Sequence, residues 1–115
     1  MIYEGLPIYK ATYDFLLAVF IFSKAFSREY KYTIGQELKN ETIQLILHIY
    51  RANSSQKDRF LLLENAKTHL ETVRLLLRLI KDLKQVSVQD FSSLSLQIEN
   101  ISKQLSGWQQ KSIKA

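Results

Sequence analysis

Residues 63–80 read LENAKTHLETVRLLLRLI, and this stretch decides the fold. Its apolar residues recur in steps of three and four, at Leu63, Ala66, Leu70, Val73, Leu77 and Ile80. This spacing places them on one side of a helix, as a seam that faces partner helices. Neither glycine nor proline occurs between residues 56 and 84. We therefore predict one long helix over about 56–84.

Three other segments have seams of the same spacing, and they predict helices over about 7–26, 34–52 and 88–110. Pro7 suits the first turn of a helix, because its missing N–H needs no partner there. Three pairs have the spacing of capping boxes, namely Thr33 and Gln36, Ser55 and Asp58, and Ser87 and Asp90. The sequence predicts an all-α fold, an up-and-down antiparallel four-helix bundle in which residues 1–115 form a single domain.

The composition limits the class of protein. The chain has 115 residues, 46% of them hydrophobic, with three glycines, one proline and no cysteine. These values exclude a disordered or disulfide-stabilised protein and disfavour a sheet with many tight turns. A net charge of +5 favours an anionic partner such as nucleic acid or an acidic protein surface.

Signals for export or membrane insertion are not readable in the sequence. Residues 1–5 lack a basic stretch that leads into an apolar one, and the longest apolar run, residues 15–22, is shorter than the roughly 18 residues of a membrane span. We expect a cytoplasmic protein without a membrane partner.

The first and third predicted helices carry more apolar residues than one seam requires. The surplus predicts a homo-oligomer, because a second apolar face in so small a domain needs another subunit to cover it. The predicted interface consists of Tyr13, Leu17, Phe20, Leu75, Leu76 and Leu79. The alternative is a seam that is wider than a strict heptad.

A row of cations runs beside the apolar seam of the third predicted helix. Arg74, Arg78 and Lys81 recur at i, i+4 and i+7, with Lys67 one heptad earlier and Lys84 at the end. Arginine can bind phosphate in a bidentate fork, so the row indicates an anionic partner. Two alternatives stay open: an ion pair with a carboxylate of another subunit, and, for the two lysines at the end, a solvated helix C-terminus.

A second basic group lies after the first predicted helix. It consists of Lys24, Arg28 and Lys31, with Tyr30 and Tyr32 interleaved. Cations with aromatic residues suit single-stranded nucleic acid, because phosphates pair with the cations while bases stack on the rings. The alternative is that the tyrosines cover one end of the bundle.

No familiar catalytic motif is present. The sequence lacks a glycine-rich phosphate loop, a nucleophile elbow and a paired histidine or Glu-x-x-His motif for a metal. We interpret His48 as a packed or interface residue instead of a base, and His69 as an ordinary surface residue. The sequence therefore predicts a protein that is not an enzyme and that uses no cofactor, metal or small-molecule substrate.

Several short stretches carry a resemblance to a known family. They are Leu6-Pro7-Ile8-Tyr9 with the later Tyr13-Asp14, Thr33-Ile34-Gly35-Gln36, the segment from Arg74 to Leu83, and Ser106-Gly107-Trp108. From about Leu6 to Gln110 the chain resembles the accessory variability determinant proteins of diversity-generating retroelements. These belong to a wider group of four-helix bundles that includes the ribosomal-RNA intervening-sequence proteins.

The resemblance implies a pentameric ring that binds DNA and RNA with little sequence preference. It further implies association with the retroelement's reverse transcriptase in mutagenic retrohoming, in which an error-containing copy of an RNA template replaces a gene segment. The two family arginines fall on Arg74 and Arg78, whereas Gln109 and Gln110 stand where a cation is expected. The alternative is a ribosome- or rRNA-associated bundle of the intervening-sequence type with a structural role.

Overall fold

The computed structural model describes residues 6–113, which contain helices and no strand. The helices are α1 (Pro7–Ser23), α2 (Arg28–Lys31), α3 (Ile34–Ser54), α4 (Arg59–Asp82) and α5 (Val88–Ile113). The four long helices form a bundle whose principal extents are 46 × 23 × 22 Å. The predicted all-α class is confirmed, and the short α2 is an addition that the sequence analysis did not predict.

Each long helix packs chiefly against two others. α1 contacts α3 and α5, and α4 also contacts α3 and α5. α1 and α4 therefore lie at diagonally opposite corners of the bundle. Their outer surfaces consequently face in opposite directions.

The core consists mainly of the predicted seams, although Phe22, Ile34, Phe91 and Trp108, which the same spacing places on them, are only partly buried. All six seam residues of α4 are buried, and Phe15, Leu45 and Ile101 are fully buried in the helices around it. Thr12 and Thr42 also lie in the core, where each hydroxyl donates to a carbonyl one turn earlier, at 2.8 Å to Ile8 O and 2.7 Å to Leu38 O. The two buried hydroxyls are therefore satisfied without a partner from another helix.

The segment that joins α1 to α3 differs from the prediction. α1 ends at Ser23 instead of about residue 26, because the next backbone N–H groups bond to carbonyls three residues back in a tighter turn. Phe26 still enters the core from this turn. The side chain of Thr33 does not cap α3: its hydroxyl donates to Glu29 O at 2.8 Å and so closes α2.

The two ends of α4 also differ slightly from the prediction. The helix begins at Arg59 instead of residue 56, although Asp58 N–H donates to Ser55 Oγ at 3.2 Å with the predicted spacing. It ends at Asp82, two residues before the predicted end. At the start of α5, Asp90 N–H donates to Ser87 Oγ at 3.0 Å, which confirms that half of the predicted capping box.

Candidate nucleic-acid and partner surface

Arg74 lies on the side of α4 that faces α5. Its guanidinium donates to the Glu99 carboxylate of α5, and Arg74 Nε also lies 3.4 Å from a carboxylate oxygen of Glu71. The hydrogen bond to Glu99 is the main cause that raises the pKa of Arg74 further above its ordinary value, so the group stays charged. The carboxylate that the sequence analysis considered on another subunit is therefore supplied within the same chain.

Arg78 is more open than Arg74. It is exposed, and its Nε lies 3.6 Å from Asp82 Oδ2, one helical turn further along α4. Exposed pairs of this kind contribute little to stability, about 0–1 kcal/mol, so the guanidinium can exchange its partner for another anion. Beside both arginines, a groove of about 280 Å³ runs between α4 and α5 past Phe91 and Ser95.

Two lysines of the predicted row also contact α5. Lys67 Nζ donates to Gln109 Oε1 at 3.0 Å, and Lys81 Nζ lies 5.0 Å from the centroid of the Phe91 ring. Lys84 is different, because it lies beyond α4 in the connection to α5 and is exposed. The structure thus joins Lys67, Arg74 and Lys81 to the neighbouring helix and leaves Arg78 and Lys84 facing solvent.

Gln109 is a polar core residue that the sequence analysis did not recognise. Its side chain is only 5% exposed, and Nε2 donates to Glu64 Oε1 at 2.7 Å and to Phe60 O at 3.3 Å. Lys67 supplies a positive charge to this network from α4. The spacing offered a signal, because Gln109 lies four residues after the buried Leu105 and so falls on the seam.

The second basic group lies at the end of the bundle where α1 and α4 end. Lys24 and Arg28 are exposed and Lys31 is half-buried. Ser27 N–H donates to Gln85 Oε1 at 2.7 Å, which joins this turn to the α4–α5 connection that carries Lys84. We call Lys24, Arg28, Lys31 and Lys84 the basic end.

Of the interleaved tyrosines, Tyr32 is 69% exposed and Tyr30 is half-buried. The turn that carries them packs tightly on α3 at Gly35. A Cβ atom there would lie 3.0 Å from Tyr30 O and 3.1 Å from the Phe26 ring, so only glycine fits without a shift. Tyr32 is therefore the tyrosine of this group that is available to stack on a base.

The predicted oligomer residues lie on two outer surfaces. Tyr13, Leu17 and Phe20 are exposed on α1, and Leu75 and Leu79 are exposed on α4. Leu76 is placed differently, since it is half-buried and packs against the core. We call these two surfaces the α1 face and the α4 face.

The two histidines meet where α3 contacts α4. His69 Nδ1 lies 2.9 Å from Glu41 Oε1, and the His48 and His69 ring centroids are 4.9 Å apart. The interpretation of His69 as an ordinary surface residue was wrong, because a carboxylate from the adjacent helix holds its ring. Sequence spacing does not show this contact, which joins residues 28 positions apart.

Residues 6–113 contain no cluster of three or more histidine, cysteine or acidic side chains that could hold a metal ion. None of the helices in the same range is long and apolar enough to cross a membrane.

Comparison with known proteins identifies the family. A family model described as bAvd-like matches residues 6–112. The match covers nearly the whole chain, so the chain belongs to this family of accessory variability determinant proteins of diversity-generating retroelements. No curated protein matches the sequence.

Proposed function

We propose, from the premise of its bAvd-like family, that this chain is a non-catalytic accessory protein that assembles into a homo-oligomeric ring. The ring binds RNA or DNA with little sequence preference and associates with the reverse transcriptase of the retroelement. In this way it supports mutagenic retrohoming. The resemblance described above favours five copies per ring.

The observation that carries the proposal is the position of the α1 face and the α4 face at opposite corners of the bundle. Two different faces that point in opposite directions join head to tail, and such contacts close into a ring when the rotation between subunits permits. A two-fold dimer would cover one face twice and leave the other exposed. The two faces therefore favour a ring over a dimer.

Ring formation would gather the cations. Cyclic symmetry places equivalent parts of every copy on the same side, so the basic end of each bundle would repeat around one rim. Five copies at +5 would carry roughly +25, a field that attracts polyanions and weakens with salt. The exposed Lys24, Arg28 and Lys84 are then the foremost phosphate contacts on this rim, and the exposed Arg78 adds a contact on the side of α4.

Stoichiometry is tested by native mass spectrometry. We expect Leu75→Glu to give monomers, because it places a charge on an α4 face that is covered in the ring. Leu96→Glu is the matched control, since Leu96 is an exposed leucine of α5 outside both faces. A wild-type protein that is monomeric at micromolar concentration would overturn the ring.

Binding is tested with template RNA and purified reverse transcriptase. The double variant Arg74→Ala, Arg78→Ala should keep its oligomeric state and lose affinity for at least one of the two partners. Unchanged affinity for both would show that these arginines are not the contact. A reverse-transcriptase gene and template and variable repeats beside this gene would separate the retroelement role from the ribosomal alternative.

A substitution at Glu99, the partner of Arg74, should strengthen nucleic-acid binding, whereas the double arginine variant should weaken it. Glu99→Gln removes the carboxylate that Arg74 contacts on α5 and leaves only Glu71 beside the guanidinium, so each bound copy gains up to about one phosphate contact and the slope of log affinity against log salt steepens by up to about 0.9. Glu37→Gln changes the net charge equally from the first turn of α3 and leaves the Arg74 pair intact. Equal slopes for the two variants would exclude Arg74 as a phosphate ligand.

A further inference from the structure

A cleft of about 470 Å³ opens at the end of the bundle away from the basic end. It lies where α1 and α4 begin and α3 and α5 end. Residues 6–8 form an apolar wall, and Trp108 of α5 contributes an aromatic one. The volume falls within the range of about 300–1,000 Å³ that small organic ligands occupy in proteins.

Arg59 is fixed beside the indole. Its Cζ lies 5.8 Å from the Trp108 ring centroid. Nε donates to Ala52 O at 2.8 Å and Nη2 donates to Asn53 O at 3.3 Å, at the C-terminal end of α3. The guanidinium therefore keeps its position without a ligand. Indole rings and guanidinium planes are the groups on which proteins stack nucleobases.

The charges around the cleft have one sign. Arg59 and Lys111 line it, and within residues 6–113 no carboxylate does. The groove between α4 and α5 differs in this respect, because Glu99 lines it together with Arg74. A negatively charged ligand therefore meets uncompensated cations in the cleft.

Gly107 leaves space beside Trp108. It is an exposed glycine in the interior of α5, where glycine weakens a helix, and it lines the cleft. A Cβ atom added there would have no atom within 4 Å apart from the helix's own backbone and its chain neighbours. No other part of residues 6–113 fills this space, so a flat group from outside can approach the α5 backbone closely.

We propose that this cleft binds one nucleotide of a single-stranded nucleic acid, with the base against Trp108 and Gly107 and the phosphate near Arg59 and Lys111. The inference rests on the proposed function, to which it adds a defined contact for a base. A second copy of the chain is less suited to the cleft, because its occupant must compensate two cations as well as cover an apolar wall.

Trp108 reports on the cleft directly, since it is the single tryptophan of the chain. Full-length protein is titrated with a dye-labelled single-stranded RNA of about 12 nucleotides, and dye anisotropy measures binding while indole emission measures stacking. The RNA should quench the emission. An abasic strand of the same length should bind through its phosphates and leave the emission unchanged.

Two matched pairs of variants localise the effect. Gly107→Leu places a side chain at the edge of the cleft beside Trp108 and should weaken RNA binding at least about fivefold, whereas Gln110→Leu, an exposed change on the same helix, should not. Lys111→Glu should weaken it more than Lys103→Glu, an equal charge change outside the cleft. Circular dichroism should show that Gly107→Leu is at least as stable as wild type, because leucine favours a helix over glycine.

The outcomes separate this inference from the proposed function. If RNA binds without quenching Trp108, and Gly107→Leu binds like Gln110→Leu, the cleft is not a nucleotide site and the proposed function stands. If no strand binds even at low salt, the proposed function fails and the inference with it. Quenching by a free mononucleotide but not by RNA overturns the single-strand assignment, as does an emission change that follows protein concentration alone.

Discussion

Replacing Lys84 by glycine should stabilise the protein. Lys84 has a φ of 61°, and within residues 6–113 it is the one non-glycine residue with positive φ. Two hydrogen bonds hold this turn, from Lys84 N–H to Lys81 O at 2.9 Å and from Gln85 N–H to Ile80 O at 3.0 Å. They form the Schellman arrangement that usually places glycine at this position. Lysine cannot relax to a right-handed conformation without breaking them.

The expected change in the free energy of unfolding is the difference between two opposing contributions. The left-handed conformation costs a residue with a β-carbon about 1–2 kcal/mol, and glycine avoids that cost. Glycine adds about 0.4–1 kcal/mol of conformational entropy to the unfolded chain. We expect Lys84→Gly to raise the free energy of unfolding by about 0.5–1 kcal/mol.

Lys103→Gly is the matched control, because Lys103 is exposed in the interior of α5. The two variants lose the same side chain and charge, yet Lys103→Gly should lower the free energy of unfolding by about 0.5–1 kcal/mol. Urea unfolding followed by circular dichroism at equal protein concentration measures both. A Lys84→Gly protein that unfolds at the same or lower urea concentration than wild type would refute the reasoning.

Three further substitutions test the packing and the polar contacts. Leu77→Ala empties a fully enclosed site and should cost about 2–5 kcal/mol, whereas Leu75→Ala on the exposed α4 face should cost an isolated subunit less than about 0.5 kcal/mol. Gln109→Ala leaves Lys67, Glu64 and Phe60 O without their shared partner and should lower the free energy of unfolding by about 1–3 kcal/mol. The matched Gln110→Ala should lower it by less than about 0.5 kcal/mol. His69→Ala should cost about 0.5–1.5 kcal/mol through the lost contact with Glu41, and an unchanged urea midpoint would show that this contact contributes nothing.

The long helices were predictable because their seams are periodic. Leu63 to Ile80 identified the buried side of α4 without reference to any other helix, and the structure buries all six of those residues. The turn between α1 and α3 was not predictable in the same way. The Thr33 hydroxyl could cap α3 or bond to a carbonyl earlier in the chain. It donates to Glu29 O, which lies within reach because residues 28–31 form α2.

The candidate surface was predictable in composition and less so in geometry. Spacing placed Arg74, Arg78 and Lys81 on one side of α4, but it did not show that Glu99, 25 residues away, pairs with Arg74. The basic end depends on Ser27 meeting Gln85 across 58 residues. Contacts of this kind depend on which helices are neighbours. Residue spacing shows which side of each helix is buried, but it does not show which helices pack together.

The contacts from α4 to α5 also fix how these two helices align. Apolar seams repeat every seven residues, so a slip of one heptad would bury almost the same residues and would hardly change the hydrophobic free energy. The polar partners do not repeat: seven residues either side of Glu99 stand Ser92 and Ser106, which offer Arg74 no carboxylate. The Arg74–Glu99 pair, with Lys67 on Gln109, therefore adds a polar preference for one register, about 0–1 kcal/mol for a partly exposed pair, to the limit that the short connection over residues 83–87 sets.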